Sequence, residues 1–171
     1  MTITITEHRT RLKNNPNAFE EHYEKARGNF AKMFKGYPLE TRLQLADLVF
    51  EAQGRKPLLH WTNIDGLPCA WNDAKRLHTK NRTIHTWDDC DYIRYEIGHM
   101  NPRNAGGTND PENLCFMSGK CNQHVQASLP LDIVLRDYFP TNLEVQNRVA
   151  NLKKLHNSKK WRKLTKQPPH C

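Results

Sequence analysis

One stretch constrains this 171-residue chain more than any other: EIGHMNPRNAGGTNDPENLCFMSGKCNQH, residues 96–124. Just before and into it, DYIRYEIG (91–98) places Tyr92, Arg94 and Glu96 on one face and Ile93, Tyr95 and Ile97 on the other. That alternation is the period of a half-buried strand. His99 stands where the strand should end. From Met100 to Glu112 the chain carries Pro102, Gly106, Gly107, Asn109, Asp110 and Pro111. These are turn formers, and the paired glycines permit positive φ. A loop held by such turns brings its ends together, which sets His99 beside Asn113. A short strand should follow, and GKCNQHVQAS after Ser118 reads as a short helix. The order predicted is strand, His, long loop, strand, helix.

Those residue types suit phosphodiester hydrolysis. The reaction needs a base to activate water, a cation to neutralise charge growing on the phosphate, and something to hold the base in one tautomer. An imidazole, which titrates near ~6.5 in water, accepts a proton at neutral pH, so His99 is the natural base. Asn113 can brace the loop backbone or the His ring through its amide. Asn122 offers a hard oxygen suited to Mg²⁺ or Mn²⁺. Taken singly, each of the three would pass for an ordinary turn or cap residue.

Taken together they resemble the HNH, or ββα-metal, nuclease motif. The resemblance rests on His99 at a strand end, the run Gly106-Gly107-Thr108-Asn109-Asp110-Pro111-Glu112-Asn113-Leu114, and Cys121-Asn122, whose Asn lies nine residues after Asn113. It covers about 30 residues and does not reach residues 1–90. It implies an α+β fold with a ββα-metal core, His99 as general base, Asn113 as the loop-bracing Asn and Asn122 as metal ligand. It also implies a divalent cation, Mg²⁺ or Mn²⁺.

The motif is not complete. Many members of the family carry a metal-binding Asp immediately before the His, where this chain has Gly98. Glu96 lies two residues earlier on the same strand face and is the first choice for a substitute ligand. Asp89, Asp91 and His124 are also near in sequence, and a site with a single protein ligand, water and substrate phosphate is an alternative. Many members also hold the hairpin with a Cys-x-x-Cys zinc knuckle, and here the first cysteine position is Ser118. A structural Zn²⁺ held by Cys69, Cys90, Cys115 and Cys121 would have spacings of no standard kind, so buried free thiols are the favoured reading. His124 is expected to be a surface or phosphate-contacting residue, because two positions along a helix turn it ~200° from Asn122.

The rest of the chain reads as scaffold and grip. Residues 1–16 are polar, with at most an edge strand at 2–6. A helix is expected from Asn17, with Phe19, Tyr23, Phe30 and Phe34 on its apolar face, ending at Gly36. A second, with Pro38 at its first position and Leu39, Leu43, Ala46 and Phe50 inward, should run to Gly54. Lys25, Arg27, Lys32 and Lys35 on the first helix suit either phosphate contact or a solvated face. Short strands are expected at 58–62 and 82–87, and Lys75, Arg76, Lys80 and Arg82 form a basic cluster. Further helices are expected at Leu131–Phe139 and from a capping Thr141. The last helix leads into residues 153–166, with seven Lys or Arg and no acid. The regions 1–55, 56–128 and 129–171 should form one compact unit.

Charge points to the partner. The 26 Lys and Arg exceed the 18 Asp and Glu, for a net charge of +8. A small chain this basic most often meets nucleic acid. The residues expected to touch DNA, double-stranded by preference, are Arg103, Lys120, His124, Lys153, Lys154, Lys159, Lys160, Arg162 and Lys163. No signal-peptide pattern or apolar span occurs, so a cytosolic chain is expected, with reduced cysteines. The resemblance adds a phage or mobile-element setting by analogy, and a homodimer is one oligomeric state open to the chain. Two other readings stand beside the nuclease. One is a non-catalytic DNA-binding protein on a degenerate HNH scaffold, motivated by Gly98 and Ser118. The other is an RNA-directed nuclease, motivated by Trp61, Trp71, Trp87 and Trp161 as base-stacking surfaces.

Overall fold

The computed structural model describes residues 2–4, 10, 13–15, 17–60, 86–88, 95–119, 122, 126 and 129–166. The fold is α+β. In chain order the elements are β1 (Thr2–Thr4), α1 (Ala18–Glu21), α2 (Tyr23–Lys32), α3 (Leu39–Ala52), β2 (Thr86–Asp88), β3 (Tyr95–His99), β4 (Leu114–Ser118), α4 (Leu131–Tyr138), α5 (Leu143–His156) and α6 (Lys159–Thr165). β1 pairs antiparallel with β2, and β3 with β4. In the second pair Glu96 lies opposite Met117, Gly98 opposite Cys115 and His99 opposite Leu114. Gly119, Asn122 and Gln126 are helical, so a helical segment follows β4.

The core forms around β4, all five residues of which are buried. Phe116 lies at the centre, its ring 5.1 Å from Phe30, 5.6 Å from Tyr23 and 5.6 Å from Phe50. A strand buried this deeply must have its backbone groups paired, because an orphan costs about 1–3 kcal/mol. β3 covers one edge. On the other, the Gln53 side chain substitutes for a strand: its Nε2 donates to the Phe116 carbonyl at 2.9 Å, and its Oε1 accepts from the Phe116 amide at 3.0 Å. The Leu58 amide donates to the same carbonyl and the Ser118 amide to the Leu59 carbonyl. Residues 58–60 therefore line β4 without being a regular strand, where a strand over 58–62 was expected; Trp61 and Thr62 lie outside the described residues. The predicted strand at 82–87 is described only from Thr86, and runs to Asp88.

The first helix is two. His22, at φ −105° and ψ 1°, interrupts it between α1 and α2. The apolar spacing runs on across the break, but its ends have different partners. Tyr23, Ala26 and Phe30 enter the main core, whereas Phe19 packs edge-on to His60 and Tyr95. Pro38 precedes α3 instead of opening it. Asn142, not Thr141, caps α5, its Oδ1 accepting from the Val145 amide at 3.1 Å. Either side chain could cap a helix. Glu144, in the first turn of α5, pairs with Arg148 and Lys56.

The basic end is docked. Ser158 caps α6, and Trp161 turns fully into the core, with Nε1 donating to Glu112 Oε1 at 3.0 Å. Tyr37 Oη donates to the Thr165 carbonyl at 2.8 Å. The main hydrophobic core thus draws on described residues from 23 to 161. Among the described residues, no helix is long and apolar enough to cross a membrane.

Candidate active site

His99 ends β3, half-buried, and the loop that follows is closed by one residue. Asn113 takes two successive amides: its carbonyl accepts from the Met100 amide at 2.8 Å, and its Oδ1 from the Asn101 amide at 2.8 Å. Its Nδ2 donates to the Asn101 carbonyl at 2.9 Å and the Thr108 carbonyl at 2.8 Å. Of the two roles open to Asn113, bracing backbone or bracing the His ring, the structure has it on the backbone. The glycines make this closure feasible. Gly106 has φ +88°, and a Cβ on Gly107 would lie 1.8 Å from the Asn101 carbonyl oxygen, so no other residue fits position 107.

The His ring is held by a residue with no separate role in the sequence reasoning. His99 Nε2 lies 2.7 Å from Asn109 Oδ1. An amide oxygen only accepts, so Nε2 is the donor here, an arrangement that in the neutral imidazole leaves the lone pair on Nδ1. Gln126 fixes the strand end from the helical side, its Nε2 donating to the His99 carbonyl at 2.7 Å. Gln126 follows Asn122 by four, a same-face spacing, and that was the only sign of it in the sequence.

Glu96 and Asn122, 26 residues apart, meet: Asn122 Nδ2 donates to Glu96 Oε2 at 2.9 Å. They line a groove of about 750 Å³ between β3 and α2. Among the described residues no hydrogen bond joins this pair to His99, and no three His, Cys, Asp or Glu side chains gather where they could hold a metal ion. Gly98 contributes nothing to the pair. A Cβ there would lie 2.9 Å from Met117 Sδ, so the buried Met117 side chain covers the place where an Asp would extend.

Cys115 is a buried free thiol. Its Sγ donates to the Gly98 carbonyl at 3.6 Å, and burial pushes the thiol pKa up to about 12. Cys69, Cys90 and Cys121 lie outside the described residues, as do Lys120 and His124. So do Asp89, Asp91 and the basic cluster at 75–82. Arg103, Lys153, Lys154, Lys159, Lys160, Arg162 and Lys163 are all exposed. Lys153 lines a cleft of about 370 Å³ with Asn101 and Asn113, so the basic end of α5 borders the closed loop. Trp161 is buried among these cations and offers no face for stacking a base.

Compared with protein-family models, curated proteins and solved structures, the chain matches none.

Proposed function

We propose that the chain is a divalent-metal-dependent DNA endonuclease of the HNH, or ββα-metal, kind. The observation that carries this reading is the meeting of Glu96 and Asn122 on the hairpin-and-helix unit whose strand end presents His99. A carboxylate and an amide oxygen are hard donors and fit Mg²⁺ or Mn²⁺. From Asn122 such a cation takes Oδ1, not the Nδ2 that here meets Glu96. Two protein donors suffice for an ion that commonly keeps several waters and binds substrate phosphate. Bound there, the cation supplies charge neutralisation at the scissile phosphate.

The chain's own residues do the rest. His99 Nδ1 takes the proton of the attacking water while Asn109 holds Nε2–H. Asn113 keeps the loop closed, and Gln126 holds the strand end. Arg103 and the cations of α5 and α6 give a polyanion a basic flank.

The test is nicking of supercoiled plasmid with Mg²⁺ or Mn²⁺ and an EDTA control. His99→Ala should slow nicking by about 10²–10⁴-fold, with DNA binding near the wild-type level. Undiminished nicking by that variant sinks the proposal. One observation favours a second reading, a DNA-binding protein that does not cut: Gly98 has no side chain, and Met117 covers its place. No metal-dependent nicking of any substrate, with binding intact, would favour it.

A further inference from the structure

The groove that holds Glu96 and Asn122 has a second wall. His22, just before α2, and Lys25, Asn29 and Lys32 on it line the opposite side. Their steps of three, four and three place them on one helical face. All four are exposed. Ala26 and Met33 join the lining on that side.

Several arginines are committed to carboxylates: Arg27 is bidentate to Asp47 at 2.8 and 2.9 Å, Arg55 to Glu20, and Arg148 pairs with Glu144. Lys25 and Lys32 line the groove and, among the described residues, pair with no acid. Glu96, the acid in the groove, already accepts from Asn122. Two ammonium groups with no acid partner among the described residues therefore line a recess whose carboxylate is engaged.

Their spacing suits a polyanion. Seven residues of helix advance ~10.5 Å at ~1.5 Å each. Phosphates on one strand of duplex DNA advance ~3.4 Å along the axis per nucleotide. That strand also winds around the axis, so its phosphates stand farther apart in space than this rise, and two lysines on one face of α2 match phosphates about one to two nucleotides apart. The groove volume, that of a site for a drug-sized ligand, suits a short run of one sugar–phosphate strand.

We propose that α2 is the second wall of a DNA-binding groove, with Lys25 and Lys32 each holding a backbone phosphate opposite Glu96 and Asn122. This rests on the nuclease reading only for where the scissile bond lies. The binding itself is separate from cleavage.

The experiment measures affinity of the full chain for a labelled DNA duplex against salt concentration, in EDTA so that nothing is cut. Each lost phosphate contact lowers the slope of log K against log salt by about 0.9. Lys25→Ala/Lys32→Ala should therefore lower it by about 2 and weaken binding of all sequences alike. Lys25→Arg/Lys32→Arg should keep the slope. The charge-matched control Lys35→Ala/Lys56→Ala, outside the groove, should leave it near wild type. Ala favours helix and these lysines are exposed, so thermal unfolding should not move.

An unchanged slope in the groove variant, or a loss no larger than the control's, overturns the groove assignment and leaves the nuclease reading standing on its nicking test. Loss of slope on an RNA duplex but not on DNA overturns the choice of DNA. A wild-type chain that binds with the expected salt dependence but never nicks retires the nuclease reading and keeps the groove. No salt-dependent binding by the wild type overturns both.

Discussion

Asn113→Ala tests the loop directly. The substitution removes three side-chain hydrogen bonds, to the Asn101 amide, the Asn101 carbonyl and the Thr108 carbonyl. At about 1 kcal/mol net each, they limit the loss to about 3 kcal/mol. The loop rim is exposed, so the freed backbone groups reach water, and we expect about 1.5–2 kcal/mol. Asn113→Asp is the sharper variant. Its shape is unchanged and it still accepts from the Asn101 amide, but it has no donor for the two carbonyls and sets a negative charge against them. It should therefore be no more stable than Asn113→Ala. Urea unfolding reads both as a fall in midpoint with little change in slope, because the buried surface stays the same. Hydrogen exchange at the Asn101 amide localises the effect: protection should fall in Asn113→Ala and persist in part in Asn113→Asp. A wild-type midpoint for Asn113→Asp, or unchanged Asn101 protection in Asn113→Ala, would refute the account of the loop as clasped by this one side chain.

Three further outcomes follow from the geometry. Asn109→Ala frees the His99 ring from a 2.7 Å contact; at about 1 kcal/mol it should lower kcat for nicking about 5–10-fold with KM little changed, and an altered KM at constant kcat would place Asn109 in binding instead. Trp161→Ala empties a fully buried site and should cost about 3–5 kcal/mol in urea unfolding, whereas Trp161→Phe should cost far less, losing chiefly the bond to Glu112; equal losses would mean that packing contributes little there. His156 gives a pH dependence, because burial holds its pKa below the ordinary 6.5 and its buried Nε2 has no hydrogen-bond partner among the described residues. The unfolded chain then binds the proton more readily, so stability is complete above about pH 6.5 and falls with pH until the folded chain also protonates. His156→Leu should flatten that part of the urea midpoint–pH curve, and parallel curves for the two proteins would show that the acid sensitivity lies elsewhere.

The legible part of this protein is the part written in neighbouring residues. Alternation over 95–98 marks β3, and the apolar repeat marks α2 and α3. The glycines and prolines of 102–111 mark a closed loop, and Gly107 turns out to leave no room for any side chain at all. The site was legible where its residues sit near that loop, as His99 and Asn113 do. The choice between two nearby candidates was not. Thr141 and Asn142 can both cap, and Asn109 and Asn113 can both reach a ring, because local pattern leaves several partners open.

What only tertiary structure decided are the pairings between distant positions. Gln53 completes the edge of β4 across 63 residues, and Trp161 reaches Glu112 across 49. Met117 occupies the place beside Gly98, and Asn122 finds Glu96. The basic tail became an ordered helix because its Trp is buried, and α2 became a wall of the groove because its other face packs on β3 and β4. No periodicity encodes these, since each depends on where two separately formed elements come to rest. The stretch at 96–124 by itself determined a hairpin that presents a histidine. Packing of the whole chain determined which side chains stand around it.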